Sequence, residues 1–352
     1  MSPQRRNRVR WVLAGILAAV AVVAIVALVG PGSSENGDGD DTMDAAAGAT
    51  EGESPAMAEW SALAPSPVSR TEVGAGGIGD SIYVVGGFAA PDGATTDAAV
   101  RYDLDPGEWE RVAPIPVGVN HPAVAAHGEM LYVDGGYADD ASLSGEVDRL
   151  QRYDPDRDSW ETLASSGLAR AAHALVPVGD RLFAIGGARA DGRPLDRVQV
   201  YDVATGRWTE GPSMGTAREH LAAAALGQRV YALGGRASGR NLDVAEVLDS
   251  RTGVWSELPP LPTPRSGFGA VGVNGRVVAV GGEELAEGDE TIAPVEALDP
   301  GADRWSALPP LPTPRHGLAV VSVGDRVYAI EGGPDPGLTF SGALEVLAVP
   351  PR

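Results

Sequence analysis

The chain contains no cysteine and no lysine. The absence of cysteine excludes disulfide bonds, thiolate metal sites and cysteine nucleophiles, and it leaves the redox compartment open. The 27 basic residues are all arginine and stand against 48 acidic residues, which gives a formal net charge of -21. Such an excess of negative charge repels nucleic acid phosphates, so we expect no nucleic-acid partner.

One long apolar run, residues 11–30, contains no charged side chain. At about 1.5 Å per residue the run spans roughly 30 Å, the thickness of a bilayer core. It also exceeds the apolar core of about 7–15 residues that a cleaved signal peptide has, which is the competing interpretation. We therefore expect one transmembrane signal-anchor helix.

The charges that flank this run predict its orientation. Residues 1–10 carry arginine as their only charged residue type, whereas residues 31–58 carry acidic residues and no basic one. The positive-inside rule then places the N-terminus in the cytoplasm and the rest of the chain outside the cell membrane, in the periplasm or cell wall. Residues 31–58 have too few large apolar groups to fold and predict a flexible acidic linker.

Six of the seven tryptophans recur at nearly constant spacing from residue 59 to the end of the chain. They are Trp60, Trp109, Trp160, Trp208, Trp255 and Trp305. An interval of about 50 residues predicts a repeat architecture. The segments between them alternate apolar and polar residues and are bounded by Gly, Pro and Asp, which is typical of four short strands in each copy.

A pair of glycines follows each tryptophan at a fixed distance. The pairs are Gly86-Gly87, Gly135-Gly136, Gly186-Gly187, Gly234-Gly235 and Gly281-Gly282, with Glu331-Gly332 in the last copy. With a tyrosine before the glycines and a Tyr-Asp before the tryptophan, this pattern resembles the kelch repeat. The resemblance covers residues 59–349 and implies an all-β fold, a propeller of four-stranded blades around a channel.

The two ends of the repeat region predict how the propeller closes. The last copy ends before its own tryptophan, and Trp60 has no Tyr-Asp strand before it. We therefore expect six blades, the last of which is completed by the N-terminal strand at Trp60. Closure of this kind removes a free sheet edge.

Arginine recurs ten residues after five of the six tryptophans, at Arg70, Arg170, Arg218, Arg265 and Arg315. In a kelch-type propeller this position lies where the chain enters the innermost strand, at the end of the channel that we call the top. One interpretation is a ring of guanidinium groups that binds an anion, because arginine suits bidentate recognition of carboxylates. The other is that the arginines bond carbonyl and acidic groups of the blades.

Histidines follow at nearly the same place, at His121, His173, His220 and His316, with Glu72 and Glu219 beside them. A ligand-binding role is expected for His121, His220, His316 and Glu219. Side chains from opposite blades are not expected to approach closely enough to bind a metal, so we predict neither a metal site nor a cofactor. Asp134 and Glu331 replace residues of the repeat consensus and are further candidates.

These observations favour a membrane-anchored, extracytoplasmic binding protein that recognises a protein partner, an acidic glycan or a small anion through its top-face loops. The resemblance also leaves open a sialic-acid mutarotase, whose family is a six-bladed kelch propeller that uses a Glu and an Arg. Glu283 stands at a matching strand end, but residues 283–294 contain no arginine. A purely structural spacer is a third possibility. Copper galactose oxidase chemistry is excluded because it needs a cysteine.

Overall fold

The repeats fold into six four-stranded antiparallel sheets. The structure, a computed structural model, describes residues 59–140, 142–285 and 289–351. No helix among these residues is long and apolar enough to cross a membrane. The predicted basic tail, anchor and acidic linker, residues 1–58, lie outside the described residues.

The strands are short, and most have five residues. The first two repeats contain β1 (Ser61–Ala62), β2 (Arg70–Thr71), β3 (Gly74–Ile78), β4 (Ser81–Val85), β5 (Phe88–Ala89), β6 (Ala94–Thr95), β7 (Ala99–Asp103), β8 (Glu108–Val112), β9 (Ala123–His127), β10 (Met130–Asp134), β11 (Leu150–Asp154) and β12 (Ser159–Thr162). The next two contain β13 (Ala174–Val178), β14 (Arg181–Ile185), β15 (Val198–Asp202), β16 (Arg207–Glu210), β17 (Ala222–Leu226), β18 (Arg229–Leu233), β19 (Arg236–Ala237), β20 (Arg240–Asn241), β21 (Ala245–Asp249) and β22 (Val254–Glu257). The last two contain β23 (Gly269–Val273), β24 (Arg276–Val280), β25 (Glu283–Glu284), β26 (Glu290–Thr291), β27 (Val295–Asp299), β28 (Arg304–Leu308), β29 (Ala319–Val323), β30 (Arg326–Ile330) and β31 (Leu344–Ala348).

Each four-stranded sheet is one blade. In strand order the blades are I (β3-β4-β7-β8), II (β9-β10-β11-β12), III (β13-β14-β15-β16), IV (β17-β18-β21-β22), V (β23-β24-β27-β28) and VI (β29-β30-β31-β1). The N-terminal strand β1 pairs with β31, and Ser61 lies opposite Val346. The predicted all-β fold of four-stranded blades is confirmed, with the first strand in the last sheet.

The innermost strands consist mainly of small residues, for example AAAAL in β17 and GAVGV in β23. Small residues allow the inner strands of neighbouring blades to approach closely. A Cβ atom on Gly272 would overlap the carbonyl oxygen of Ala225 in the next blade, so only glycine fits there. The close approach brings the entrances of all six inner strands near one another.

The repeat tryptophans join the blades at their outer edges. In all six copies the indole N–H donates to a backbone carbonyl of the preceding repeat, for example from Trp109 to Ala64 at 2.7 Å and from Trp60 to Pro309 at 2.9 Å. Trp60 also packs on the apolar cluster between blades V and VI. This bond explains why tryptophan recurs once in every repeat.

Candidate functional site

The residue twelve positions after each tryptophan lies at the top of the channel. These six ring residues are Glu72, His121, Ala172, His220, Gly267 and Gly317, and each has a left-handed backbone with φ between 50 and 60°. The N–H of His121 donates to the carbonyl of Glu72 at 3.0 Å, and the equivalent bond joins each later pair of ring residues. The circle closes where Val73 N–H donates to the Gly317 carbonyl at 3.3 Å. The hydrogen-bonded ring therefore holds one residue of every blade at the channel entrance.

Three ring residues carry functional side chains, namely Glu72, His121 and His220. The left-handed conformation is free for glycine, as at Gly267 and Gly317, but it costs about 1–3 kcal/mol for most other residues. Strained residues of this kind cluster at functional sites. Because all six copies share this conformation, the ring itself belongs to the repeat fold, and a site is indicated by the ionisable side chains at three of its positions.

A pocket of about 290 Å³ opens on the top face above the ring. Its ionisable lining residues are Glu72, His121, His220, Arg236, Glu283 and His316, and Thr71 and Ser142 are its other polar residues. Leu143 and Leu338 also line the pocket, and they are 53% and 50% exposed. The volume is near the lower end of the range for small-molecule sites. The pocket therefore suits a small part of a ligand, namely one polar group that has an apolar group beside it.

The other side chains of the pocket come from two further positions of the repeat, the residue before each ring residue and the residue after the double glycine. Backbone bridges pair the residue before each ring residue with the residue after the double glycine, for example Glu219 with Arg236 and Ser266 with Glu283. His316 pairs with Gly333 in the same way. The pocket therefore combines three repeat positions, supplied by blades I, II, IV, V and VI, with the loop residues Leu143 and Leu338.

Glu72 lies between two histidines. Its Oε2 atom is 3.1 Å from Nε2 of His121, and its Oε1 atom is 3.2 Å from Nδ1 of His316. The imidazole rings of His121 and His220 stand edge to face with centroids 4.8 Å apart. Gly317 provides the space for this carboxylate, because a Cβ there would lie 2.6 Å from Glu72 Oε1. Histidines from different blades thus approach more closely than the sequence led us to expect.

Arg236 crosses the pocket and contacts both remaining carboxylates. Its Nε atom is 2.8 Å from Glu219 Oε1, its Nη1 atom is 3.2 Å from Glu283 Oε1, and its Nη2 atom is 3.3 Å from Nε2 of His220. Nδ1 of His220 is 2.9 Å from Glu219 Oε2. Each nitrogen of this guanidinium already has a partner in the pocket, and two of these three partners are carboxylates.

Burial and charge shift the acid–base behaviour of these groups in opposite directions. Burial would raise the pKa of Glu219, but His220 and Arg236 lower it to about 2. The pKa of Glu72 is likewise held well below its usual range by His121 and His316 despite burial. Burial lowers the pKa of His121 to about 3. The pocket therefore keeps Glu72 and Glu219 ionised and His121 neutral.

The structure places all five predicted arginines inside the blades rather than at the channel mouth, and each is 0% exposed. We call them the blade arginines. Arg265 is typical: it donates to the carbonyls of Gly281 and Pro294 and to Glu296 Oε2 at 2.7 Å. These guanidinium groups therefore do not form the ring of free anion ligands that was one interpretation of the sequence. Acidic side chains and backbone carbonyls of the blades bind them instead, which was the other interpretation.

The partners of the blade arginines also follow the repeat. Arg218, Arg265 and Arg315 pair with Glu246, Glu296 and Glu345, and Arg170 donates to Gln199 at 3.0 Å. All four partners stand nine residues before a tryptophan position. Blade I has Val100 there, and Arg70 pairs instead with Glu331 of blade VI, at 2.7 and 2.8 Å.

The two repeat-breaking acids therefore have structural partners. Glu331 is 0% exposed and neutralises Arg70. Asp134 is buried and lies 3.0 Å from Nε2 of His173, which belongs to the position after the ring and lines a smaller cavity of about 90 Å³ below it. His173 is the one histidine of the sequence cluster that does not line the top pocket.

Arg236, Asn120 and the pairing of Glu283 with Arg236 were not anticipated from the sequence. Arg236 and Glu283 each follow a double glycine directly, at the position that carries Phe88 and Tyr137 in blades I and II. An alignment of the repeats at this position shows a change from aromatic to charged residues. The charged residues at this position in blades IV and V are the sequence signal by which Arg236 and Glu283 could have been found.

His316 gives the pocket a measurable pH dependence. Burial alone would lower the pKa of His316, but its hydrogen bond to Glu72 and the charges of Glu72 and Glu283 raise it from 6.5 to about 9. A raised pKa stabilises the fold fully below about pH 6.5, and that stabilisation is lost as the pH rises through about 9. Urea denaturation in EDTA-containing buffer is expected to show the free energy of unfolding falling by up to about 3 kcal/mol across this window.

The His316→Gln variant is expected to lack most of this fall, whereas His127→Gln, which changes a histidine outside the pocket, retains it. A wild-type free energy that stays constant between about pH 6.5 and 9, or a fall that persists in His316→Gln, would show that this histidine is not held in its charged form.

Six four-stranded blades around a channel define a β-propeller. The polar pocket at the top of the channel is its candidate binding site. The family model described as KLHDC2/KLHL20/DRC7 Kelch-repeats domain matches residues 120–333, and the Kelch motif model matches residues 69–116. The chain belongs to the kelch-repeat family.

Comparison with curated proteins gives no match. Among solved structures, the chain is similar to one titled "Structure of YjhT", with a TM-score of 0.70 and 17% sequence identity over 80% of this chain and 96% of that chain. At this level of identity the likeness shows the shared propeller fold.

Proposed function

We propose that this propeller is a binding protein whose top pocket takes a neutral or cationic polar group of its ligand. The observation that carries the proposal is the convergence of Glu72, Glu219 and Glu283 with a single guanidinium, that of Arg236, which is already paired with two of them. With His316 counted beside Arg236, three carboxylates face two cationic groups, so an additional anion would still meet an excess of negative charge, whereas hydroxyl or ammonium donors find acceptors. This argues against the acidic glycan or small anion that the sequence suggested.

The rim of the pocket supports a ligand with an apolar part. Among the described residues, the exposed large apolar side chains are Leu143, Val254 and Leu338, and two of these three line the top pocket. Exposed apolar residues around a polar centre are typical of binding surfaces. Kelch propellers generally bind protein partners, and a hydroxyl-bearing or basic side chain beside an apolar residue would fit this rim.

Thermal denaturation of the full-length protein tests the proposal, since a ligand specific for the folded state raises the melting temperature. The panel contains galactose, N-acetylglucosamine, N-acetylneuraminic acid, and lysine-rich and glutamate-rich peptides with interspersed leucine. We expect a rise with a neutral sugar or a basic peptide, and its loss in Glu283→Gln and Leu338→Ser but not in His127→Gln. A rise confined to the acidic members would contradict the charge argument.

A second candidate function, interconversion of sugar anomers, is favoured by the contact between Glu283 and Arg236. The resembling mutarotase family uses a Glu and an Arg, and here the arginine comes from the neighbouring blade. In mutarotation Glu283 would accept the proton of the anomeric hydroxyl while His316, 3.8 Å from Glu283 Oε2, donates one to the ring oxygen. Exchange NMR of N-acetylneuraminic acid and galactose tests this, and unchanged anomer exchange with added protein would exclude it for these sugars.

We further propose that the propeller faces the outside of the cell membrane, with residues 11–30 as its anchor and residues 31–58 as its tether. The charge asymmetry around the apolar run supports this topology. Alkaline phosphatase fused after residue 352 is expected to be active, because this reporter folds only outside the cytoplasm. An inactive fusion that is present in normal amount would contradict the topology.

A further inference from the structure

The floor of the top pocket brings together three side chains that are common metal ligands. One ligand atom each from Glu72, His121 and His220 lies within 4.8 Å of the other two. All three are ring residues, so their backbones are held in place by the closed circle of hydrogen bonds. A preorganised backbone at three converging ligand positions is what a metal site requires.

Hydrogen bonds fix which nitrogen of each imidazole faces inward. Asn120 Nδ2 donates to Thr95 Oγ1 at 2.8 Å and to the Tyr137 carbonyl at 3.2 Å, so the amide oxygen of Asn120 faces His121. That oxygen lies 2.7 Å from His121 Nδ1, which therefore carries a proton. Glu219 Oε2 accepts from Nδ1 of His220 in the same way. Both histidines thus turn Nε2 toward the centre.

Each of the three side chains consequently has an outer partner: Asn120 for His121, Glu219 for His220 and His316 for Glu72. An acceptor on the far nitrogen of a histidine orients its ring and increases its basicity, which is the usual arrangement behind a metal ligand. This arrangement around all three members is the second, independent indication of a metal site.

The inner atoms make an arrangement that suits a cation. Nε2 of His121 and Oε2 of Glu72 are both acceptors and lie 3.1 Å apart. A single proton can satisfy that pair, but it leaves Nε2 of His220 outside, with a long 3.3 Å contact to Arg236. A metal ion uses all three lone pairs. Bonds of about 2.0–2.2 Å require the three atoms to close by roughly 1 Å, which is within side-chain rotation.

We infer that Glu72, His121 and His220 form a binding site for one divalent transition-metal ion at the floor of the top pocket. Two imidazoles and one carboxylate suit Zn²⁺, Co²⁺ or Fe²⁺. The remaining coordination positions face the pocket, where a neutral ligand hydroxyl would bind the ion directly, because the charge of the ion removes the negative excess that favours a cationic group in the metal-free pocket. This inference rests on the pocket of the proposed function and names a component of it.

The test uses full-length protein dialysed against EDTA and then titrated with CoCl₂ or ZnSO₄ alone. We expect one Co²⁺ per chain, visible absorption bands of a low-coordinate site, and pulsed electron paramagnetic resonance signals from two imidazoles. His121→Gln and His220→Gln should weaken binding at least 100-fold, and Asn120→Ala about 10- to 100-fold. His127→Gln, which alters the His127–Asp180 pair outside the pocket, should bind as the wild type does.

The proposal is overturned if the wild type binds no metal at millimolar concentration, or if binding survives in the His121→Gln/His220→Gln double variant. If these variants do not fold, the number of imidazoles bound to Co²⁺ in the wild-type protein tests the proposal instead. Any number other than two would contradict the proposed ligand set. If the ligand still raises the melting temperature in EDTA and the wild type binds no metal, the proposed binding function stands and only the metal site is overturned.

Discussion

Replacing Glu331 by glutamine is expected to destabilise the propeller by about 3–5 kcal/mol, the cost of leaving one member of a buried ion pair without its partner. Glu331 and Arg70 are each 0% exposed and join through two hydrogen bonds of 2.7 and 2.8 Å. The pair connects blade VI to blade I, the two blades at which the ring closes. Loss of its negative charge leaves the buried Arg70 guanidinium without a counter-ion, with only backbone carbonyls such as those of Gly86 and Ala98 as charge partners.

Urea denaturation measures the effect, and two controls interpret it. Glu161→Gln removes one member of an exposed pair with Arg152 and should cost less than about 1 kcal/mol. The Arg70→Met/Glu331→Gln double variant should be more stable than the sum of its single changes predicts, because no charge remains unpaired. A cost below about 1 kcal/mol for Glu331→Gln would mean that Arg70 has another way to be neutralised.

Replacing Trp60 by alanine is expected to cost about 3 kcal/mol, through lost packing between blades V and VI and an unpaired carbonyl at Pro309. This tryptophan directly precedes β1, the strand that completes blade VI from the opposite end of the repeat region. If the closure holds in solution, Trp60 contributes as much as a tryptophan inside a continuous part of the repeat.

Trp208→Ala is the matched control, because its indole donates to Ala164 with the same geometry at 2.8 Å. Both variants are to be compared by urea denaturation under identical conditions. Equal losses within about 1 kcal/mol confirm closure by β1. A near-zero loss for Trp60 beside a normal loss for Trp208 would show that the N-terminal strand does not close the ring.

The repeat made most of the fold predictable from the sequence. Tryptophan spacing and double glycines set the number of blades, and the incomplete last copy placed the first strand in the last sheet. These features are local and recur in every copy, so each confirms the others.

The site was harder to predict because it depends on distances across the ring. The regular recurrence of Arg265 and its equivalents in the sequence suggested anion ligands. Their actual partners also recur in the sequence, nine residues before a tryptophan position, at Glu246, Glu296 and Glu345. His121 and His220 belong to different blades, and only the close approach of the inner strands brings them together. Arg236 was missed because the position after the double glycine carries a different residue in each repeat and so shows no recurring pattern.

The measurement that most directly tests the account is a crystal structure of the protein grown with the neutral sugar or basic peptide that gives the largest thermal shift. The account predicts ligand density in the top pocket, against Glu283, His316 and Leu338. Density instead in the larger groove of about 470 Å³ between blades III and IV, lined by Arg181 and Arg207, would contradict the assignment of function to the top of the channel.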